Sequence, residues 1–297
     1  MTFTFKAAAA GAAVWSVVSV FAAALAEEAP TVRLEPLRGN LYVLFGQGGN
    51  IGVSAGEEGV FLIDDQYAPL NPNILAAIRN INPGPIRFVL NTHYHGDHTG
   101  GNENLGELGT VIIAHDNVRP RIERDLAADG KDPKAVHAAL PLITFNDQSS
   151  LYLNGEEARA IHIEHAHTDG DSIIVFAASN VVHMGDLFFN GHYPYIDDEA
   201  GGSIDGLLAG LETALAKIDA DTIIIPGHGP IGARGDLIAY RDMLKTIRER
   251  VAALKAAGKT LEEVIAAKPT DDFDAVWSWS YIKAADIIRP IFNTVGE

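Results

Sequence analysis

The feature that most constrains this 297-residue chain is a histidine-rich segment that directly follows an apolar one. Residues Arg87–Asn91 read as a buried strand, and the chain continues into Thr92-His93-Tyr94-His95-Gly96-Asp97-His98. Because side chains alternate across an extended chain, His93 and His95 should point to the same side, and Asp97 should continue that alternation. His98 breaks the alternation, so a turn is expected there. Four potential ligands at one strand end indicate two adjacent metal ions rather than polar caps on a loop.

The type of metal follows from the residues that can bind it. The sequence contains no cysteine, which excludes disulfides, thiolate catalysis and cysteine metal sites. Nitrogen and oxygen ligands favour zinc, with iron or manganese as alternatives. We therefore expect two Zn²⁺ ions per chain.

The charge of the chain limits its partners. With 22 basic and 39 acidic residues, the formal charge is 22 − 39 = −17, and no run of basic residues stands out. Such a chain repels the phosphates of nucleic acids and of anionic membranes. A small-molecule substrate and no nucleic-acid partner are predicted, while the oligomeric state is left open.

The first 26 residues are predicted to be a secretory signal peptide. Lys6 is the only charge before the apolar run from Ala7 to Ala26, which ends in a small-x-small site, Ala24-Leu25-Ala26. An uncleaved membrane anchor is the alternative, although alanine inserts into bilayers only weakly. Cleavage would leave residues 27–297 without stable membrane association. Export of a chain without cysteine suits the bacterial periplasm.

The rest of the chain alternates strands and helices. A cluster of predicted strands occurs in each half, and residues from Asp236 onwards are mostly helical, with apolar residues three to four apart. No linker or repeat interrupts residues 27–297. The pattern predicts a single α/β domain in which two sheets pack between helical layers.

Four ordered motifs resemble the metallo-β-lactamase-fold superfamily over about residues 35–235. They are His93-x-His95-x-Asp97-His98, Ala166-His167-Thr168-Asp169-Gly170-Asp171, Val182-His183-Met184-Gly185-Asp186 and Ile225-Pro226-Gly227-His228-Gly229-Pro230. The resemblance implies an αββα sandwich of two mixed sheets with a dinuclear site along one edge.

The same resemblance implies a role for each motif residue. The first metal would be held by His93, His95 and His167, and the second by Asp97, His98 and His228. Asp186 would bridge the two metals together with a water or hydroxide. Asp97 is also the candidate catalytic residue, because its second oxygen could orient the hydroxide and carry a proton.

Other residues are assigned supporting or binding roles. The loop after Asp186 is predicted to form a substrate wall from Phe188, His192, Tyr193 and Tyr195. Asp64 is interpreted either as a cap or as a support that orients a ligand. His162 and His165 are interpreted as structural or as supports of a ligand, and His183 as a hydrogen-bonded core histidine.

The substrate is the least determined part of the prediction. In the superfamily's β-lactamases, cysteine or serine stands where this chain has Asp186, whereas glyoxalase II-like thioesterases and lactonases have aspartate. The predicted export signal, however, resembles that of a β-lactamase. The leading hypothesis is an exported dinuclear zinc hydrolase whose metal-bridging hydroxide opens a cyclic amide or ester, including β-lactams. The alternatives are a thioesterase or lactonase with the same site, and an iron persulfide dioxygenase, against which export argues.

Overall fold

Apolar side chains alternate along the strands of two sheets, and each face of each sheet packs against a different layer. The computed structural model describes residues 31–296. The predicted signal peptide, residues 1–26, lies outside the described residues. Within 31–296, no helix combines the length and the apolar character needed to cross a bilayer.

The first sheet has seven strands whose spatial order follows the sequence. Its first four strands pair antiparallel and the rest pair parallel, so the sheet is mixed. The strands are β1 Arg33–Pro36, β2 Leu41–Phe45, β3 Ile51–Gly56, β4 Gly59–Ile63, β5 Ile86–Leu90, β6 Val111–His115 and β7 Ile143–Phe145.

The second sheet has five strands in the order β12-β11-β10-β9-β8. Only β11 and β12 pair parallel. The strands are β8 Gln148–Leu153, β9 Glu156–His162, β10 Ser172–Phe176, β11 Val181–His183 and β12 Ile223–Ile225.

Helices cover the outer faces of both sheets. The helices are α1 Asn71–Arg79, α2 Gly96–Thr99, α3 Asn102–Glu107, α4 Val118–Ala128, α5 Pro133–Ala139, α6 Ile204–Leu215, α7 Arg234–Ala256, α8 Leu261–Ala266, α9 Asp274–Trp277 and α10 Ala284–Thr294. The apolar stripe predicted after Asp236 is the buried face of α7, which packs against α6 and α10.

Strand periodicity explains the layers. Phe61 and Ile63 of β4 join the cluster between the sheets, where the rings of Phe61 and Phe176 lie 6.5 Å apart. Leu62, between them, points the other way and packs with α1. In the same way Ile173 of β10 faces α6 and α7. Since period-two alternation puts neighbouring residues on opposite faces, each sheet is apolar on both sides. The predicted αββα sandwich is confirmed.

The two sheets are joined by backbone hydrogen bonds at one edge, where β4, β5, β9, β11 and β12 end. The amide of Ser172 donates to the carbonyl of Thr92 at 2.8 Å, and the amide of Asn50 donates to the carbonyl of Gly227 at 2.7 Å. Loops at this edge are therefore held at a fixed distance from one another.

One local prediction is wrong. The strand β5 ends at Leu90, and residues 92–94 form bends instead of continuing that strand. Asp97 and His98 lie in the short helix α2, whose first residue is Gly96. Helical geometry, and not strand alternation, therefore sets the directions of Asp97 and His98.

Candidate metal centre

The seven predicted ligands converge at the edge that joins the sheets. The loop after β5 and helix α2 supply the first four, and the loops after β9, β11 and β12 supply one each. Two groups form, one of His93, His95, His167 and Asp186, and the other of Asp97, His98 and His228. Within each group, the potential ligand atoms lie within 4.8 Å of one another.

In the first group, three imidazole nitrogens face one another. His95 Nδ1 lies 3.1 Å from His93 Nε2 and 2.9 Å from His167 Nε2. Three such nitrogens cannot all satisfy each other as hydrogen-bond partners. Two nitrogens on a tetrahedral zinc, with Zn–N near 2.0–2.1 Å, are about 3.3 Å apart. The spacing therefore suits a small dication.

The second group has similar dimensions. His228 Nε2 lies 3.2 Å from Asp97 Oδ2 and 3.4 Å from His98 Nε2. Asp97 Oδ2 is 3.7 Å from His98 Nε2. Two nitrogens and one carboxylate oxygen form a donor set suited to zinc, iron or manganese.

Asp186 lies between the two groups and presents a different oxygen to each. Its Oδ2 is 3.8 Å from His93 Nε2 and 3.5 Å from His167 Nε2. Its Oδ1 is 3.0 Å from His98 Nε2 and 3.5 Å from His228 Nε2. Oδ1 is buried and, although His98 Nε2 is close to it, no donor is aligned to form a hydrogen bond with it. A buried carboxylate oxygen without a partner is costly unless a cation binds it, so the residues present fit two metals with Asp186 between them.

The opposite nitrogens of the histidine rings are already engaged. His98 Nδ1 lies 2.8 Å from Asp64 Oδ2, and His93 Nδ1 lies 3.0 Å from Thr92 Oγ1. Asp64 also accepts hydrogen bonds from the backbone and hydroxyl of Thr92. Such partners fix the orientation of a metal-binding ring. Of the two interpretations of Asp64, the structure supports the one in which it orients a ligand.

The remaining two rings of the first group are oriented in the same way. His95 Nε2 lies 2.9 Å from Asp197 Oδ2, which also accepts the Tyr94 hydroxyl at 2.5 Å. His167 donates through Nδ1 to the Tyr195 carbonyl at 2.8 Å. Although burial opposes it, hydrogen bonding from His95 and Tyr94 lowers the pKa of Asp197 to about 2. Asp197 therefore remains an anion that can accept from His95. Asp197 was not predicted from the sequence.

The electrostatics of the cluster favour added positive charge. Burial disfavours charge on Asp186, but the neighbouring His98, His228 and His93 hold the pKa of Asp186 well below its usual value. Burial likewise opposes protonation of His228, yet Asp186 and Asp97 raise its pKa to about 9. Carboxylates that draw protons onto buried imidazoles form a site that a dication can occupy instead.

Two glycines allow the backbone to approach the ligands closely. A methyl group on Gly227 would overlap Oδ1 of Asp186, and one on Gly49 would overlap the ring of His98. Neither glycine has a positive φ, so the reason for glycine is space rather than backbone conformation.

A cavity of about 460 Å³ opens onto both groups. Its lining includes Asp97, Asp186, His95 and His228 and, beyond them, Gln47, Tyr67, Gly96, Phe189, Tyr195, Trp279, Tyr281 and Ile282. Four aromatic residues of this lining, Tyr67, Phe189, Trp279 and Tyr281, were not among the predicted wall residues.

The predicted substrate wall is corrected in part. Tyr195 lines the cavity, and His192 lines an adjoining one beside His228. Phe188 and Tyr193 line neither, because both are fully buried in the core. The Phe188 ring packs edge-on against Tyr240, and the Tyr193 hydroxyl donates to Asp274.

The three histidines interpreted as structural have internal partners. His183 Nε2 lies 2.9 Å from the carbonyl of Asn50. His162 Nδ1 lies 2.9 Å from the Asp171 carbonyl, and His165 Nδ1 lies 2.9 Å from the Gly201 carbonyl. None of the three belongs to either group of potential ligands.

A two-sheet sandwich with clustered histidines and aspartates at its joined edge defines a class of α/β proteins with a candidate dinuclear metal centre. The model of the Metallo-beta-lactamase superfamily matches residues 44–228, and the chain belongs to that superfamily.

Curated relatives agree with this assignment. A hydroxyacylglutathione hydrolase of Polaromonas sp. is 29% identical over 192 residues, which cover 64% of each chain. The metallo-beta-lactamase type 2 of Bacillus cereus is 21% identical over 189 residues, covering 63% of this chain and 70% of the relative. The match thus spans slightly less than two thirds of the first of these relatives.

Solved structures agree on the fold. A metallo-beta-lactamase from Pontibacter korlensis superimposes with a TM-score of 0.61 at 16% identity, covering 72% of this chain and 99% of that one. A double mutant of the sec-alkyl sulfatase PisA1 gives a TM-score of 0.67 at 18% identity, covering 89% and 50%.

Proposed function

We propose that this chain is a dinuclear zinc hydrolase that opens a cyclic amide or ester. The observation that carries the proposal is the position of Asp186, whose two oxygens face two separate groups of potential ligands. His93, His95 and His167 would hold one ion, and Asp97, His98 and His228 the other. Two such dications lower the pKa of a shared water and polarise a carbonyl oxygen.

In this proposal, the proton of the attacking water is transferred by a residue of the protein, Asp97. The Asp97 carboxylate lines the cavity, and its side chain is about one-fifth exposed (22%), so it can reach both the water and a substrate. Its role would be to orient the attacking water and carry a proton to the leaving group. The aromatic side chains that line the same cavity would limit access of bulk water.

A second candidate is a thioesterase or lactonase with the same residues. The names of several relatives favour it, since they are hydroxyacylglutathione hydrolases. Aspartate at position 186 also favours it.

Metal analysis together with a substrate panel tests the proposal. We expect about two ions per chain, mainly zinc, and hydrolysis of at least one of nitrocefin, a lactone and a thioester that stops on chelation and returns with zinc. The substrate hydrolysed fastest separates the two candidates. One ion in the fully active enzyme would refute the dinuclear site, and iron as the only supporting metal would favour the dioxygenase.

We also propose that the protein is exported to the periplasm, on the basis of the apolar run that ends in Ala24-Leu25-Ala26. N-terminal sequencing of the protein recovered from that compartment should begin at Glu27. A chain that still began at Met1 would favour the membrane anchor.

A further inference from the structure

The cavity above the metal centre is walled by aromatic rings. Five of the described residues that line it are aromatic, namely Tyr67, Phe189, Tyr195, Trp279 and Tyr281. The Phe189 ring stacks on His228 with centroids 5.0 Å apart, so the wall reaches the second ligand group itself. Aromatic walls of this kind bind apolar parts of small molecules.

The wall is held in place by hydrogen bonds and ring contacts. Trp279 donates through Nε1 to the carbonyl of Tyr193 at 3.0 Å, and its amide donates to Ile282 at 3.1 Å. The Trp279 ring stacks on His192 at 4.8 Å, and Tyr281 packs edge-on against it at 5.0 Å. A preformed wall costs little ordering entropy when a substrate binds.

No lysine or arginine among the described residues of this region is left unpaired for an anionic substrate. None of the described residues that line the cavity is lysine or arginine. In the two adjoining cavities, Arg33 is paired with Glu35 and Arg124 with Asp125.

The third arginine in the adjoining cavities, Arg121, is also paired with an acidic residue. Arg121 donates through Nε and one terminal nitrogen to Asp169 at 2.8 and 2.7 Å. The cavity that it lines contains three acidic residues, Asp125, Asp197 and Glu199, against two arginines, so acidic groups outnumber basic ones there. A carboxylate held in these cavities away from the ligand groups would lose its hydration without gaining a free lysine or arginine as a partner.

We propose that the site acts on a neutral ester or lactone with an apolar alkyl or aromatic body, and discriminates against substrates that carry a carboxylate. This substrate class rests on the proposed hydrolase function. A volume of about 460 Å³ accommodates such a body, since small-molecule sites span about 300–1,000 Å³. β-Lactams and glutathione thioesters, which carry carboxylates, would then be poor substrates.

Three 4-nitrophenyl esters test the class with the zinc-loaded protein, with chelated protein as the blank. They are the acetate, the octanoate and the suberate monoester, which has the octanoate length but ends in a carboxylate. We expect kcat/KM for the octanoate to exceed that for the acetate by at least about tenfold, because each buried methylene multiplies affinity about three- to fourfold. The suberate should be at least about tenfold poorer than the octanoate.

The variant Tyr281→Ala tests whether the preference for the octanoate over the acetate arises from the aromatic wall. Tyr281 is 75% exposed, so its removal should leave the fold intact, and the octanoate-to-acetate ratio should fall several-fold. Tyr152→Ala is the matched control, because Tyr152 is similarly exposed (70%) on β8 and lines no part of the cavity. This control should keep the wild-type ratio.

Failure of the substrate class and failure of the hydrolase can be told apart. Suberate cleaved as fast as octanoate would overturn the class and leave the hydrolase standing. If no ester is cleaved, calorimetry with octanamide and its carboxylate-ended counterpart decides. Tighter binding of octanamide would support the class, whereas equal binding, or none, would overturn it. The hydrolase itself is decided by the panel of nitrocefin, a lactone and a thioester.

Discussion

Replacing Asp186 by asparagine is expected to lower kcat/KM by on the order of 10³ and to reduce the metal content from two ions towards one. Asp186 is the residue whose oxygens face both ligand groups, and Oδ1 is buried without a hydrogen-bond partner. An amide keeps the shape but removes the charge, and its nitrogen cannot bind a cation. Elemental analysis of the purified variant, together with steady-state kinetics, measures both effects.

Asp64→Asn is the matched control for the loss of a buried carboxylate at this edge. The Asp64 carboxylate contacts Nδ1 of the His98 ring, but Asp64 belongs to neither ligand group. Loss of such a support typically weakens metal binding about 10–100-fold, so excess zinc should restore two ions to this variant but not to Asp186→Asn. An Asp186→Asn protein with two tightly bound ions and wild-type kinetics would contradict the bridging role.

The second large effect is expected from Asp97→Asn, which should lower kcat by about 10²–10⁴ even with both ions retained. Asp97 borders the cavity, and its Oδ2 lies 3.2 Å from His228 Nε2. As a proton carrier its loss slows the chemical step, because asparagine cannot accept a proton. As a ligand alone its loss should follow metal occupancy. Kinetics at rising zinc concentration, with bound zinc measured in parallel, separate the two roles.

Asp125→Asn provides the control for removing a carboxylate near the site. Asp125 lines an adjoining cavity and pairs with Arg124, away from both ligand groups. Its kcat should stay within about twofold of the wild type. A dizinc Asp97→Asn variant with wild-type kcat would end the proton-carrier hypothesis while leaving the dinuclear hydrolase intact.

The ligand set could be proposed from the sequence because four ordered motifs resemble those of the superfamily, and each lies at the end of a predicted strand. Strands β5 (Ile86–Leu90) and β11 (Val181–His183) are visible in the sequence as largely apolar runs, and their ends must meet where the sheets share an edge. The conformation of the segment that carries the first four ligands was harder to predict from the sequence. His93–His95 does not continue the strand, and the Gly96–Thr99 helix was not anticipated. A helical turn and a short extended segment can each direct the same side chains into one cavity, so the ligand set was predicted although the conformation of the segment was not.

The cavity wall was the hardest part to predict, because it depends on packing between distant segments. Phe188 and Tyr193 are close to Asp186 in sequence, yet both turn into the core. Trp279 and Tyr281 lie about ninety residues further along, after the matched motifs end at His228. Their position depends on how α7 and α10 pack on the second sheet, and hydrophobic periodicity shows which face of a helix is buried but not what lies opposite it.

The wide spacing of the ligands along the chain constrains when the metals can bind. His93 and His228 are separated by 228 − 93 = 135 residues, and their groups meet only after the two sheets have docked through bonds such as Ser172 to Thr92. Contacts so distant in sequence form late, after a large loop-closure cost. A newly made chain therefore offers a metal only the local cluster from His93 to His98. Both metal sites can therefore be filled only after the chain has folded. The metal ions available where the chain folds then determine which ions it binds.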